Sequence, residues 1–119
     1  MEIHKSGEDY LETILNLRQR NGAVRSVDVA EALGYSKPSV SVAMKKLRES
    51  GFVTVAEDGA LSLTAEGEAV AQRIYNRHQV IANMLMAVGV EPETAAEEAC
   101  QIEHVISDET LEKIRLYFK

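Results

Sequence analysis

The chain has 119 residues and a mass of 13.1 kDa, enough for one domain or two small ones sharing a core. Its formal net charge of -6 argues, taken alone, against a nucleic-acid binder, yet residues 1–63 hold 8 of the 13 Lys and Arg against 9 of the 19 acids, so the first part is close to neutral. One cysteine excludes an internal disulfide and points to a reduced, cytoplasmic protein, and the longest apolar stretch, Val80 to Val90, contains Asn83 and is well short of the ~18 residues a membrane helix requires.

From Ser6 to about Arg20, Tyr10, Ile14 and Leu17 recur at helical spacing, with Ser6, Glu8 and Asp9 at an acidic start and Arg18, Arg20 and Gly22 marking the end. Asp9 and Glu12 sit three apart on one side of this helix. They are either a solvated acidic face or a pair of oxygen donors. His4, before the helix, is too weakly placed to assign.

Ser26 is expected to cap a short helix from Val27 to Leu33, with Val29, Ala30 and Leu33 inward. Gly34 ends it, and Ser36 caps the next helix, Lys37 to Ser50, whose first turn tolerates Pro38. Two short helices joined by a Gly-containing turn make a helix-turn-helix. The second buries Val40, Met44 and Leu47, and its other side carries Ser36, Lys37, Ser39, Ser41, Val42 and Lys45. Small hydroxyl side chains there permit close approach to base edges or phosphate, and lysines supply attraction to the backbone; a helical hairpin with a soluble face is the plainer alternative. Phe52 to Val55 and Leu61 to Leu63 are strand-like runs around Glu57-Asp58-Gly59, the pattern of a β-hairpin wing. Its acidic tip is expected to bind little phosphate.

Thr64 is expected to cap a long helix reaching about Val88, with Val70, Ile74, Ile81 and Leu85 on an apolar stripe. His78 lies in its middle, where a lone histidine is a surface side chain or a ligand. Pro92 opens a further helix expected to include Cys100, Ile102, Val105 and Ile106, and Ser107 caps a last one through Tyr117. If Glu98 to His104, EACQIEH, is helical, then Cys100, Glu103 and His104 share one face. A thiol, a carboxylate and an imidazole so placed suit a first-row divalent metal better than they suit packing. Met84, Leu85, Met86, Leu111, Ile114, Tyr117 and Phe118 offer more apolar surface than two helices bury, and a homodimer interface is expected there. The fold class is therefore mainly α: an N-terminal winged helix-turn-helix with a small β-hairpin wing over 1–63, and an all-helical metal-binding and dimerisation domain over 64–119.

The run EACQIEHVISDE, residues 98–109, with Arg77-His78 and the preceding winged helix, closely resembles the diphtheria toxin repressor family. The resemblance spans essentially the whole chain. It implies a metal-activated repressor of metal-uptake genes that binds double-stranded operator DNA as a homodimer. It places the ligand set on Cys100, Glu103 and His104, with a donor from the first helix and, as in the manganese-responsive branch, His78. Asp9 and Glu12 match the carboxylates of that branch, whereas Cys100 matches the iron-responsive one. The iron branch's ancillary ligands fall at Ala82 and Ala96, and the SH3-like third domain of longer members has no counterpart. A short, manganese-regulator-like form with a cysteine-modified site follows, taking Mn(II) or Fe(II), with Zn(II) or Co(II) possible in vitro. Pro38, in the first turn of the second helix of the helix-turn-helix, is counted with the DNA-facing set. Three other readings stand beside it: a winged-helix regulator answering a small ligand or an oxidant through Cys100, a structural zinc site in a constitutive DNA binder, and an enzyme using Cys100 and His104. The last lacks any evident oxyanion site or orienting third group.

Overall fold

The computed structural model describes residues 5–118; His4 lies outside them. Six helices and one two-stranded antiparallel sheet follow in the order α1 (Lys5–Asn21), α2 (Ser26–Leu33), α3 (Lys37–Glu49), β1 (Val53–Val55), β2 (Leu61–Leu63), α4 (Ala65–Ala87), α5 (Pro92–Ile102) and α6 (Asp108–Tyr117). They form two compact units, the first ending at Gln72 and the second beginning at Arg73, so the division falls inside α4. No helix among the described residues is long and apolar enough to cross a membrane.

In the first unit α1 packs against α2 and β2, α2 against α3, and α3 against β1. The face α1 buries is Tyr10, Leu11, Ile14 and Leu15, while Leu17, expected on that stripe, is half-buried. Each fully buried Leu or Ile contributes about 1.5–3 kcal/mol of transfer free energy. Val29 and Ala30 of α2 and Val40, Met44 and Leu47 of α3 complete this side as expected. Ser26 is not the cap of α2: it is the first helical residue, Arg25 occupies the cap position, and the Asp28 carboxylate accepts the Arg25 backbone N–H at 2.9 Å. Gly34, at φ +71°, turns the chain between α2 and α3 in a conformation that L side chains rarely adopt. Ser36 does cap α3, its hydroxyl accepting the Ser39 N–H at 3.3 Å.

The hairpin pairs Val53 with Leu63, Thr54 with Ser62 and Val55 with Leu61, and the Leu61 N–H also donates to the Val24 carbonyl at 2.7 Å. The Arg25 guanidinium donates to the Asp58 carbonyl and lies 3.7 Å from its carboxylate, so the acidic wing tip is tied back to the start of α2. Thr64 caps α4 by accepting the Gly67 N–H at 3.1 Å. Arg18 makes a two-pronged contact with Glu68 at 3.0 and 2.9 Å, and that hydrogen bonding holds the Glu68 carboxyl below its ordinary range.

The second unit is built on Ile81, Ala82 and Ala99, with Met84, Leu85, Ile102, Ile106 and Leu111 packed around them. Met84, Leu85 and Leu111 are therefore partly spent on this internal core. Ser107 caps α6 through the Thr110 N–H at 3.1 Å. α5 ends at Ile102, earlier than expected; Val105 and Ile106 lie in the connection to α6, outside any helix.

Candidate metal centre and nucleic-acid interface

The early end of α5 changes how the donors are arranged. Cys100 stands on the last helical turn, Glu103 is the C-cap at φ -58° and ψ -23°, and His104 lies in the turn beyond. The three do not share one face of a continuous helix. They are organised instead around the Glu103 carboxylate, which is fully buried at 0% exposure. Its Oε2 is 2.9 Å from His78 Nδ1, contributed by α4, and its Oε1 faces His104 Nε2 at 3.3 Å. Cys100 Sγ lies 3.8 Å from the same His78 nitrogen. His78, Cys100 and Glu103 each offer a ligand atom within 4.8 Å of the others. The histidine that stands alone in sequence thus belongs to the cluster.

Whether this set fits a cation turns on Glu103. An ionised carboxylate out of water is costly unless its oxygens are compensated, yet Oε1, although 3.3 Å from His104 Nε2, accepts no hydrogen bond among the described residues. The buried guanidinium nearest it, Arg77, is 4% exposed and donates to the Glu103 backbone carbonyl at 2.8 Å. One uncompensated carboxylate oxygen beside two imidazoles and a thiol is a donor set that a divalent first-row cation satisfies. Asp9 and Glu12 belong to the first unit, both half-buried on α1.

On the first unit, Ser36, Lys37, Pro38, Ser39, Ser41, Val42 and Lys45 are all exposed, along the front and outer side of α3. The Ser36 hydroxyl also bonds the Ser39 hydroxyl at 2.8 Å, which fixes how both are presented. A cleft beside them, between α3, the start of α2 and the wing, is lined by Ser26, Ser41, Met44, Lys45, Arg48 and Val55. Ser26 is outside the DNA-facing set that the sequence indicates, and only the fold brings it, from another helix, alongside Lys45. Tyr10, next to Asp9, meets Tyr35, next to Ser36, edge to face with ring centroids 6.0 Å apart. Burial and the neighbouring Tyr35 raise the Tyr10 phenol above its ordinary value.

Residues 2–61 match the family described as iron dependent repressor, N-terminal DNA binding domain. Residues 64–119 match its partner, iron dependent repressor, metal binding and dimerisation domain. The chain is 41% identical to the transcriptional regulator MntR of Escherichia coli O6:H1 over 92% of its own length and 71% of that protein. It is 34% identical to the diphtheria toxin repressor of Corynebacterium efficiens, covering 86% of this chain and 45% of the other. A solved manganese-dependent transcriptional repressor in complex with manganese superposes with a TM-score of 0.87 at 28% identity, over 94% of this chain and 52% of that one. The chain spans about half the length of that repressor, of the manganese regulator SloR and of IdeR of T. acidophilum.

Proposed function

The chain belongs to the iron-dependent repressor family, and on that premise we propose that it is a metal-activated transcriptional repressor controlling manganese or iron homeostasis genes from the cytoplasm. Residues 1–63 read operator DNA; residues 64–119 bind the metal and pair two copies. The observation that carries this reading is the buried Glu103 carboxylate, set between His78 and His104 with one oxygen lacking a hydrogen bond.

His78, Cys100, Glu103 and His104 would hold the ion, and Asp9 and Glu12 would add oxygen donors from α1. Carboxylates, imidazoles and one thiol suit Mn(II) or Fe(II), and admit Zn(II) or Co(II) in vitro. When bound, the cation supplies positive charge that offsets the carboxylates, with release of protons from the ligands. Asp9, Glu12 and Glu103 are like charges and resist being brought together until that charge is offset. The edge-to-face contact of Tyr10 with Tyr35, which precedes the α3 cap, would carry a constraint on α1 toward the front of α3. Two recognition helices of a homodimer must stand about 34 Å, or a multiple, apart to enter successive major grooves. Exposed Leu116 and Tyr117 on α6, at 52% and 83%, support pairing through the second unit. Lys37 and Lys45 then attract phosphate, while Ser36, Pro38, Ser39, Ser41 and Val42 meet base edges.

The test is an anaerobic gel-shift titration against a duplex selected from a random pool with Mn(II) present, using wild type and Glu103→Ala. Wild type is expected to bind with Mn(II) or Fe(II) and release the duplex on chelation, and Glu103→Ala to stay folded and dimeric but bind equally weakly in both conditions. Unchanged affinity of the variant in saturating metal overturns the assignment. Cys100 is exposed, so peroxide-dependent but chelator-insensitive binding would move the switch to its thiol.

A further inference from the structure

Arg77 is one of two buried charged or polar residues among those described, the other being Glu103. Its guanidinium spends its donors on a single stretch of chain. Nε donates to the Glu103 carbonyl at 2.8 Å, Nη2 to the Ile106 carbonyl, and Nη1 to the Asp108 carboxylate at 2.6 Å. These acceptors run from the C-cap of α5 to the first residue of α6, the whole connection that carries His104. The last carbonyls of a helix have no partner within it, and here one side chain from α4 satisfies that of Glu103, the α5 C-cap, together with that of Ile106 in the connection beyond. The next residue along α4, His78, holds Glu103 by its carboxylate. Adjacent residues thus grip Glu103 by main chain and by side chain.

We infer that Arg77 is the positioning residue of the metal centre: it folds residues 103–108 into the turn that aims Glu103 and His104, and it joins that turn to α6 through Asp108. The inference rests on the proposed metal-binding function and deepens it, since Arg77 itself offers no donor atom to a cation. A planar fork serves three acceptors at separate positions, which a lysine ammonium cannot reproduce. Asp108 also accepts from Arg73 at 3.2 Å, and Arg73, which is exposed where Arg77 is buried, is the comparison variant.

The experiment compares wild type, Arg77→Lys, Asp108→Asn and Arg73→Ala by Mn(II) titration, the Co(II) ligand-field spectrum and hydrogen exchange of the metal-free proteins. Partners of metal ligands typically change affinity about 10- to 100-fold, so Arg77→Lys is expected to bind Mn(II) at least about tenfold more weakly and to alter the Co(II) spectrum. Exchange at 103–108 should quicken while the β1–β2 hairpin is unaffected. Asp108→Asn, which keeps both carbonyl bonds, should show a smaller loss in the same direction, and Arg73→Ala none. Arg77→Lys with wild-type affinity, spectrum and exchange overturns the inference. If it does not fold, Asp108→Asn decides: wild-type affinity and exchange there overturn it equally. Failure of wild type to bind either metal would instead overturn the functional reading, whatever the variants do.

Discussion

Burial and charge conflict at Glu103. A carboxylate with 0% exposure carries an effective desolvation penalty on the order of several kcal/mol, which paired and hydrogen-bonded groups must offset. His78 compensates one oxygen, while the other lies 3.3 Å from His104 and accepts no hydrogen bond among the described residues. Cys100 differs from them in being exposed, with its Sγ 3.8 Å from His78 Nδ1 and within 4.8 Å of the Glu103 carboxylate. A thiolate favours softer ions than a carboxylate does, so Cys100→Glu should move the order of activating metals toward Mn(II) and away from Zn(II). Metal titrations of DNA binding check this, and the same ranking in both proteins would mean that the thiol is not a ligand.

At the scale of the elements, local chemistry was legible wherever a cap or an apolar stripe acts within a few residues. Thr64 and Ser107 cap their helices, and Val40, Met44 and Leu47 form the inner side of α3. The end of α5 was not legible. Nothing in EACQIEHVIS breaks a helix, having neither Gly nor Pro, and the turn is held by Arg77, which lies 26 residues from Glu103 in the chain. Spacing alone left His78 undecided between a surface side chain and a ligand for the same reason, its partner being 25 residues away, and only the family resemblance placed it in the ligand set. Ser26 was misread as a cap because Asp28 reaches back to Arg25 and extends α2 by one residue. Gly67 shows local propensity and tertiary packing in opposition. Alanine in a helix interior is favoured over glycine by about 1 kcal/mol, but a Cβ here would stand 2.0 Å from the Phe52 carbonyl oxygen, which the Thr64 N–H already uses at 3.1 Å. Overpacking of this kind costs about 1–3 kcal/mol, and backbone cannot swing aside as a side chain does. Gly67→Ala should therefore lower the melting temperature by several degrees. A rise would mean that helix propensity wins.

For the molecule as a whole, the proposed donors are divided between two compact units, with Asp9 and Glu12 in one and His78, Cys100, Glu103 and His104 in the other. A cation needing both sets would make the state of the first unit depend on the second, the meaning of allosteric coupling between metal and DNA. Such couplings are typically ~1–3 kcal/mol, or about 5- to 150-fold, and thermodynamic linkage makes them reciprocal. Neutralising acidic charge near phosphate acts in the same direction, but screening leaves it the smaller contribution. The most direct test is Mn(II) affinity measured with and without a saturating selected duplex at one fixed salt concentration. The expected result is that the duplex tightens Mn(II) binding by the same factor, within that range, by which Mn(II) tightens the duplex. Equal Mn(II) affinity in the two conditions would contradict the account.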